Sequence, residues 1–293
     1  MADKTFPRGE KAFNKWLVRQ YLQYGSVDDV FRRHKYGLPI SEASYYRLLD
    51  KWEIVKAAGP NSKLSESLEF FHHLAETNIP FERLYEKMPP SFRTSAATLY
   101  RVLSYIKEGV TRRVGTGLVI TPYENDKKVL IGEDRSTPRV ELGKPFGSLS
   151  IPVGFSKKRD LRETAILRVL QQEVFTEQAI EKKMPKVIPE RPKPFMFLDI
   201  ADIRVEVFHI KLPRKYQGKD IFSSYKLFNH KFMTIDKILS LDKEKVKLRA
   251  GVASGIEGYR KYLELKRRNI SADPFYSRSE LNYRLSFNFK KTI

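Results

Sequence analysis

The sequence predicts a multidomain protein with an all-α N-terminal part and an α+β sandwich behind it. Apolar residues recur at helical spacing through about the first 110 residues, whereas alternating, β-rich segments dominate from about Arg113. Helical segments are interspersed among these strands, an order typical of an α+β sandwich. A chain of 293 residues is long enough for two or more domains.

The composition is that of a folded protein, with 41% hydrophobic and 12% aromatic residues. The absence of cysteine excludes disulfides, thiolate zinc sites and cysteine nucleophiles. The N-terminus has no apolar core of a signal peptide, and no apolar run is long enough to span a membrane. We therefore expect no membrane partner and a cytoplasmic location, or one shared with nucleic acid.

The net charge of +20 favours a nucleic-acid partner, because basic side chains bind phosphates and release counterions. The excess is densest in residues 259–293, which hold 9 Lys/Arg and 3 Asp/Glu. A generally basic, soluble surface is the alternative interpretation.

Two tandem helical units are predicted, over residues 1–59 and 60–112. A shift of 54 residues aligns segments 14–52 and 68–106 without a gap and matches their apolar positions. Two copies at this period indicate a domain duplication and not a solenoid. Serines stand at two expected helix N-caps of the first unit, Ser26 and Ser41.

Each unit has the pattern of a helix-turn-helix, in which the third helix enters the major groove of DNA. The sequence places an apolar stripe of Tyr45, Leu48, Leu49 and Trp52 on one side of the first unit's third helix. The predicted nucleic-acid contacts are Ser44, Arg47 and Lys51 in the first unit and Thr98 and Arg101 in the second. Duplex DNA is favoured over RNA, and a plain helical bundle with solvated arginines is the alternative.

The third predicted domain covers residues 113–268, followed by a basic, aromatic tail over 269–293. Helices are expected at Leu161–Glu177 and Val252–Arg268. Strand-like segments are GTGLVITPY, KKVLIGED, KPFGSLSIPV, KPFMFLDI and IRVEVFHIKL. In the tail, the alternation in YRLSFNF predicts a strand or an extended contact.

Residues 154–173, GFSKKRDLRETAILRVLQQE, resemble a degenerate Nudix box. Gly154 is followed after five residues by Asp160 and after seven more by Arg168, which is the spacing of the family's Gly, Glu and Arg. The resemblance extends over roughly 113–265 in the order of strands and helices and implies an α/β/α sandwich. An amphipathic helix with a chance spacing match is the alternative.

The resemblance implies that glutamates one, four and five positions after the Arg bind Mg²⁺, which prefers oxygen ligands. In this chain those positions are Val169, Gln172 and Glu173, so two of three carboxylates are absent. Glu173 alone supports weak metal binding at most. Arg168 and Asp160 keep the pairing that orients loop and helix. We therefore expect no cofactor, with Mg²⁺ required only if the domain is a hydrolase.

The favoured hypothesis is a DNA-binding transcriptional regulator whose inactive Nudix-like domain is a nucleotide-ligand sensor or scaffold. One alternative is a divergent, metal-dependent Nudix nucleotide hydrolase. Another is a structural component of a nucleoprotein assembly. A homodimer or a larger assembly is compatible with all three.

Overall fold

The computed structural model describes residues 6–57, 113–138, 143–157, 159–201, 203–242, 245–270 and 273–282. Two of the sequence predictions lie outside these residues. They are the second helical unit, with Thr98 and Arg101, and the YRLSFNF motif of the tail.

The first helical unit consists of helices α1 (Glu10–Tyr24), α2 (Val27–Arg33) and α3 (Glu42–Lys51). Both predicted N-caps are confirmed, because Ser26 and Ser41 accept hydrogen bonds from backbone amides in the first turns of α2 and α3. Each cap satisfies a donor that a helix start leaves free. The unit has its own apolar core, which includes Leu17, Val18, Tyr21, Val27, Val30, Tyr45 and Leu49. Trp52, placed by the sequence in the apolar stripe, is only partly buried.

The α+β part contains two sheets. Their strands are β1 (Arg113–Thr121), β2 (Lys128–Asp134), β3 (Ser148–Ser150), β4 (Val153–Ser156), β5 (Met196–Ile200), β6 (Ile203–Lys211), β7 (Leu227–Thr234) and β8 (Phe275–Arg278). One sheet has the order β4-β1-β6-β5-β8 and the other the order β3-β2-β7. The first sheet is mixed, since β1 is parallel to β6 and antiparallel to β4, whereas the second is antiparallel throughout.

Helices cover both faces of this β layer, as expected for an α/β/α sandwich. They are α4 (Arg162–Glu173), α5 (Thr176–Ile180), α6 (Ile235–Leu239) and α7 (Val252–Arg267). Successive residues of β1 point to opposite faces and explain the arrangement: Leu118 packs in the core cluster of α4, whereas Val119 packs in that of α7. Burial on both faces follows from this alternation of apolar side chains.

Three details of the sequence prediction were wrong. The helix expected over Leu161–Glu177 is two helices, because the chain leaves helical geometry at Val174 and Phe175, which are fully buried in the core. The expected strand KPFGSLSIPV is divided between β3 and β4, which belong to different sheets. The tail contributes the unpredicted strand β8, which pairs in parallel with β5.

The first helical unit packs against the α+β part through α5. Ala179 and Ile180 belong to the core of the helical unit, and the Trp52 indole donates to the Ile180 carbonyl at 3.1 Å. Ion pairs flank this contact: Lys15 with Glu181 at 2.6 Å and Arg19 with Glu177 at 2.9 Å. Within the described part of the chain, no helix is long and apolar enough to cross a membrane.

Candidate ligand site between the helical unit and the sheet

A cleft of about 360 Å³ lies between the first helical unit and the mixed sheet. Tyr24, Gly25, Ser26, Asp29 and Ala57 supply the wall from the helical unit. Strand residues and α4 supply the opposite wall, with Val153, Gly154, Phe155, Arg168, Val169, Gln172 and Glu173. The helical unit is therefore part of the site, and the volume is that of a small-molecule pocket.

Gly154 and Gly115 allow the close packing under this cleft. A Cβ on Gly154 would lie 3.3 Å from a methyl group of Val169, so this glycine lets β4 approach α4 closely. A Cβ on Gly115 would lie 3.3 Å from the Gly154 carbonyl and from two side chains of β6. A side chain at Gly154 would therefore crowd Val169, which explains why glycine suits this position of the box in this chain.

The structure contains the ion pair predicted between Arg168 and Asp160. Nη1 of Arg168 donates to Oδ2 of Asp160 at 2.7 Å, and the same oxygen accepts from the Lys157 amide at 2.6 Å. Burial alone would raise the pKa of Asp160, but these hydrogen bonds lower it below its ordinary value. Asp160 therefore joins the loop before α4 to the helix itself.

Arg168 and Gln171 also bind the segment that follows α3. This segment, Glu53–Ala57, is called the linker segment below. Nε of Arg168 donates to the Lys56 carbonyl at 2.7 Å. Gln171 makes two bonds to the segment, accepting from the Val55 amide at 2.9 Å and donating to the Glu53 carbonyl at 2.8 Å. The exit of the helical unit is thus fixed to α4 by side chains.

The C-terminal end of α4 is capped from three sides. The last carbonyls of a helix lack intrahelical donors. Here the carbonyls of Gln171 and Gln172 accept from the hydroxyls of Thr176 at 2.8 Å and Ser224 at 2.7 Å. The Glu173 carbonyl lies 2.7 Å from Nε2 of His230, which must be the donor because a carbonyl only accepts. These bonds fix the backbone at the end of α4, to which the Glu173 side chain is attached.

Three basic side chains surround the end of α4 in the cleft. Nζ of Lys226 donates to the amide oxygen of Gln172 at 2.8 Å. Arg249 and Lys144 lie beside the buried Asp134, with N–O distances of 2.9 and 3.8 Å. We call Lys144, Lys226 and Arg249 the cation triad.

Burial and mutual repulsion shift the pKa values of this cluster. Burial first, and the charge of Arg249 second, lower the pKa of Lys144 to about 8. Burial raises the pKa of Glu173, although Lys226 and Arg249 act in the opposite direction. The cluster thus places an excess of positive charge around a carboxyl group, that of Glu173, whose charged form is disfavoured by its burial.

These residues do not fit a magnesium ion. Mg²⁺ needs several oxygen ligands in near-octahedral geometry. Val169 is apolar and buried, the amide oxygen of Gln172 is bound to Lys226, and three cations would repel the metal. In the part of the chain that is described, no three His, Asp or Glu residues are placed to share a metal. Glu173 remains the one carboxylate of the three box positions.

The predicted DNA-contact residues of the first unit lie on α3, away from the cleft lining. Arg47 and Lys51 are exposed, whereas Ser44 is half-buried and its hydroxyl lies 3.0 Å from the hydroxyl of Ser41. Nε of Arg47 reaches back to the Ala43 carbonyl at 3.4 Å. The carbonyl of Lys51 accepts from Lys182 at 2.9 Å, so the end of α3 rests on the α+β part.

Sequence reasoning missed the cation triad, Gln171 and the wall formed by the helical unit. Lys144, Lys226 and Arg249 precede β3, β7 and α7 and have no common spacing. Only the fold brings them together. Gln171 stands inside the box, but at a position for which the family pattern specifies no residue type.

No family model matches the sequence, and no curated protein matches it. The structure is similar to a MutT protein from Methanosarcina mazei Go1, at 13% identity and a TM-score of 0.38, over 53% of this chain and 97% of that one. It is similar to an Ap4A hydrolase from C. elegans, at 16% identity and a TM-score of 0.35, over 52% of this chain and 98% of that one.

A third similar structure is the NUDIX domain of Shewanella oneidensis NrtR complexed with ADP ribose, at 16% identity and a TM-score of 0.36. It covers 58% of this chain and 99% of that chain. Similarity this distant carries no information about the activity of the present chain.

Proposed function

We propose that this protein is a nucleotide-responsive, DNA-binding transcriptional regulator. Its Nudix-like domain binds a nucleotide-type ligand and does not hydrolyse it, and its N-terminal helical units bind duplex DNA. The observation that carries the proposal is the composition of the cleft, one wall of which belongs to the first helical unit. A ligand there touches both parts of the molecule.

The cleft chemistry supports a nucleotide-type ligand. Among the described residues that line it, five are basic and two are acidic. Apolar side chains of the strands, such as Val205 and Ile203, line it as well. Basic groups suit phosphates and apolar groups suit a nucleoside. The described residues at the three box positions do not fit a metal, and this supports binding without hydrolysis.

The linker segment supports a coupling between ligand and helical unit. Arg168 lines the cleft and binds the Lys56 carbonyl, and Ala57 both lines the cleft and donates its amide to the Tyr21 hydroxyl at 2.7 Å. A ligand that contacts these groups differently in two arrangements of the helical unit shifts the equilibrium between them. Such a shift is what a sensor requires.

Exposed basic side chains support DNA binding by the first unit. On α2, the following turn and α3 they are Arg32, Arg33, Lys35, Arg47 and Lys51. Acidic residues of α2 and α3 reduce the net charge, and Arg32 is paired with Asp28. We therefore expect moderate affinity that depends strongly on salt and on both units.

The test is a mobility-shift titration of the full chain with duplex DNA over a salt series, with and without nucleotides. The panel comprises ADP-ribose, ADP and NAD, each in EDTA. The proposal predicts retarded duplex at low salt and a changed apparent Kd with at least one nucleotide. Absence of any complex at low salt would refute DNA binding. Release of phosphate with magnesium, abolished in Glu173→Gln, would establish the hydrolase alternative.

A further inference from the structure

We infer that the cation triad, Lys144, Lys226 and Arg249, is a metal-independent binding site for the diphosphate group of a small ligand. The inference deepens the proposed function, since it rests on a nucleotide-type ligand in the cleft and names the part of it that is recognised. It assigns to fixed side-chain charges the position that the Nudix resemblance gives to magnesium.

The charge of the triad is only partly balanced. Asp134 lies near two of its members, Arg249 at 2.9 Å and Lys144 at 3.8 Å. The other polar partners are neutral: Lys226 donates to the Gln172 amide and Lys144 to the Ser136 hydroxyl. Glu173 is buried beside the triad, and burial raises its pKa, which disfavours its charged form. Three cations therefore face the ion-paired Asp134 and this disfavoured carboxylate, an excess of positive charge that suits a phosphate anion.

The triad is also built rigidly. Gln172 is fixed through its carbonyl by Ser224, whose hydroxyl accepts the amide of Lys226 at 2.9 Å. The guanidinium of Arg249 is held by Asp134, which is almost fully buried. Because donors that are already positioned lose little entropy on binding, a diphosphate gains affinity here without a metal.

Size and lining favour a small diphosphate over a nucleic-acid backbone. The triad lies in a cleft of about 360 Å³ that is also lined by apolar residues, Val153, Ile200 and Ile203 among them. A duplex cannot enter a cleft of this size, whereas a nucleoside diphosphate fits the volume of ordinary ligand pockets.

The experiment is isothermal titration of the full chain with ADP and with inorganic pyrophosphate, in EDTA and then with excess Mg²⁺. The variant is Lys226→Met, because the hydrogen-bond partner of Lys226 is the neutral side-chain amide of Gln172 and not a carboxylate. Lys231→Met is the matched control, since Lys231 is exposed on β7 and does not line the cleft. Lys226→Gln serves as a second neutral variant should Lys226→Met fail to fold.

We expect both probes to bind in EDTA, Lys226→Met to weaken both by about tenfold, and Lys231→Met to bind like the wild type. Binding that requires Mg²⁺ would overturn the inference. Equal losses in the two variants would show unspecific attraction and would also overturn it. ADP binding that Lys226→Met leaves unchanged would overturn the diphosphate site but not the proposed function. Failure of every nucleotide to bind would refute both.

Discussion

Two pairs of side chains on one helix, α4, differ in what they bind. The first pair, Arg168 and Gln171, makes four hydrogen bonds of 2.7–2.9 Å within the protein, three of them to the linker segment. The second pair, Gln172 and Glu173, lines a cleft with an excess of positive charge. The first pair is satisfied by groups of the protein itself, although Arg168 also lines the cleft, whereas the second pair is suited to a ligand. One helix therefore connects the ligand site to the helical unit.

The largest predicted effect concerns the first pair of side chains, Arg168 and Gln171. Arg168→Ala removes one partner of a largely buried ion pair. The Asp160 carboxylate and the Lys56 carbonyl then lose the donor that Arg168 supplies. We expect a loss of about 3–5 kcal/mol in the free energy of unfolding, measured by urea denaturation.

Arg162→Ala is the matched control for Arg168→Ala, because Arg162 is on the same helix and pairs with Glu206 at the surface. It should cost less than about 1 kcal/mol. Equal losses for the two variants would show that the Arg168 contacts are not special.

A smaller effect is expected for Gln171→Leu, which removes both side-chain bonds to the linker segment. The Val55 amide and the Glu53 carbonyl then lose their partners. Because these groups are partly buried, we expect the free energy of unfolding to fall by about 1–3 kcal/mol. Hydrogen exchange at Val55 should become faster, whereas Gln178→Leu on α5 should leave it unchanged. An unchanged exchange rate in Gln171→Leu would contradict the role of this residue.

Lys144, a member of the cation triad, should cause opposite pH trends in diphosphate affinity and in the free energy of unfolding. Lys144, whose pKa is about 8, loses its proton as the pH rises through 8, so diphosphate affinity should fall by a few-fold between pH 7 and 9. Its pKa is below that of the unfolded chain, so the unfolded state binds more protons above pH 8 and this residue's contribution to stability rises there. The groups that face Lys144 are Arg249, Asp134, Glu173 and Lys226.

Lys144→Met separates these trends, with affinity measured by isothermal titration and stability by urea denaturation at each pH. The variant should bind diphosphate more weakly at pH 7 and lose the change in affinity centred near pH 8. A pH profile identical to that of the wild type would exclude Lys144 from the site.

The smallest effect is expected on α3. Arg47→Ala should weaken duplex DNA binding by a few-fold and reduce the salt slope by about one, as for a single phosphate contact. Fluorescence anisotropy over a salt series measures both, with Lys231→Met as a control of equal charge. A DNA affinity that Arg47→Ala leaves unchanged would remove α3 from the interface.

The Arg168 contacts and the surroundings of Gln172 and Glu173 also differed in how far the sequence could predict them. The Arg168–Asp160 pair was predictable, because the spacing of the two residues resembles that of the paired Glu and Arg in the Nudix box. The helix end was not, since Val174 and Phe175 leave helical geometry to fill the core, which is a tertiary effect. The cation triad joins residues 144, 226 and 249, and no local pattern connects positions so far apart.

The measurement that tests the account most directly is hydrogen exchange of the Val55 and Ala57 amides, with and without saturating ADP in EDTA. Both amides are bound by side chains, that of Val55 by Gln171 and that of Ala57 by Tyr21. The account predicts that the ligand changes their exchange in the absence of metal, and that Lys226→Met requires correspondingly more ligand. Saturation of the cleft with no change at either amide would contradict the coupling between ligand site and helical unit.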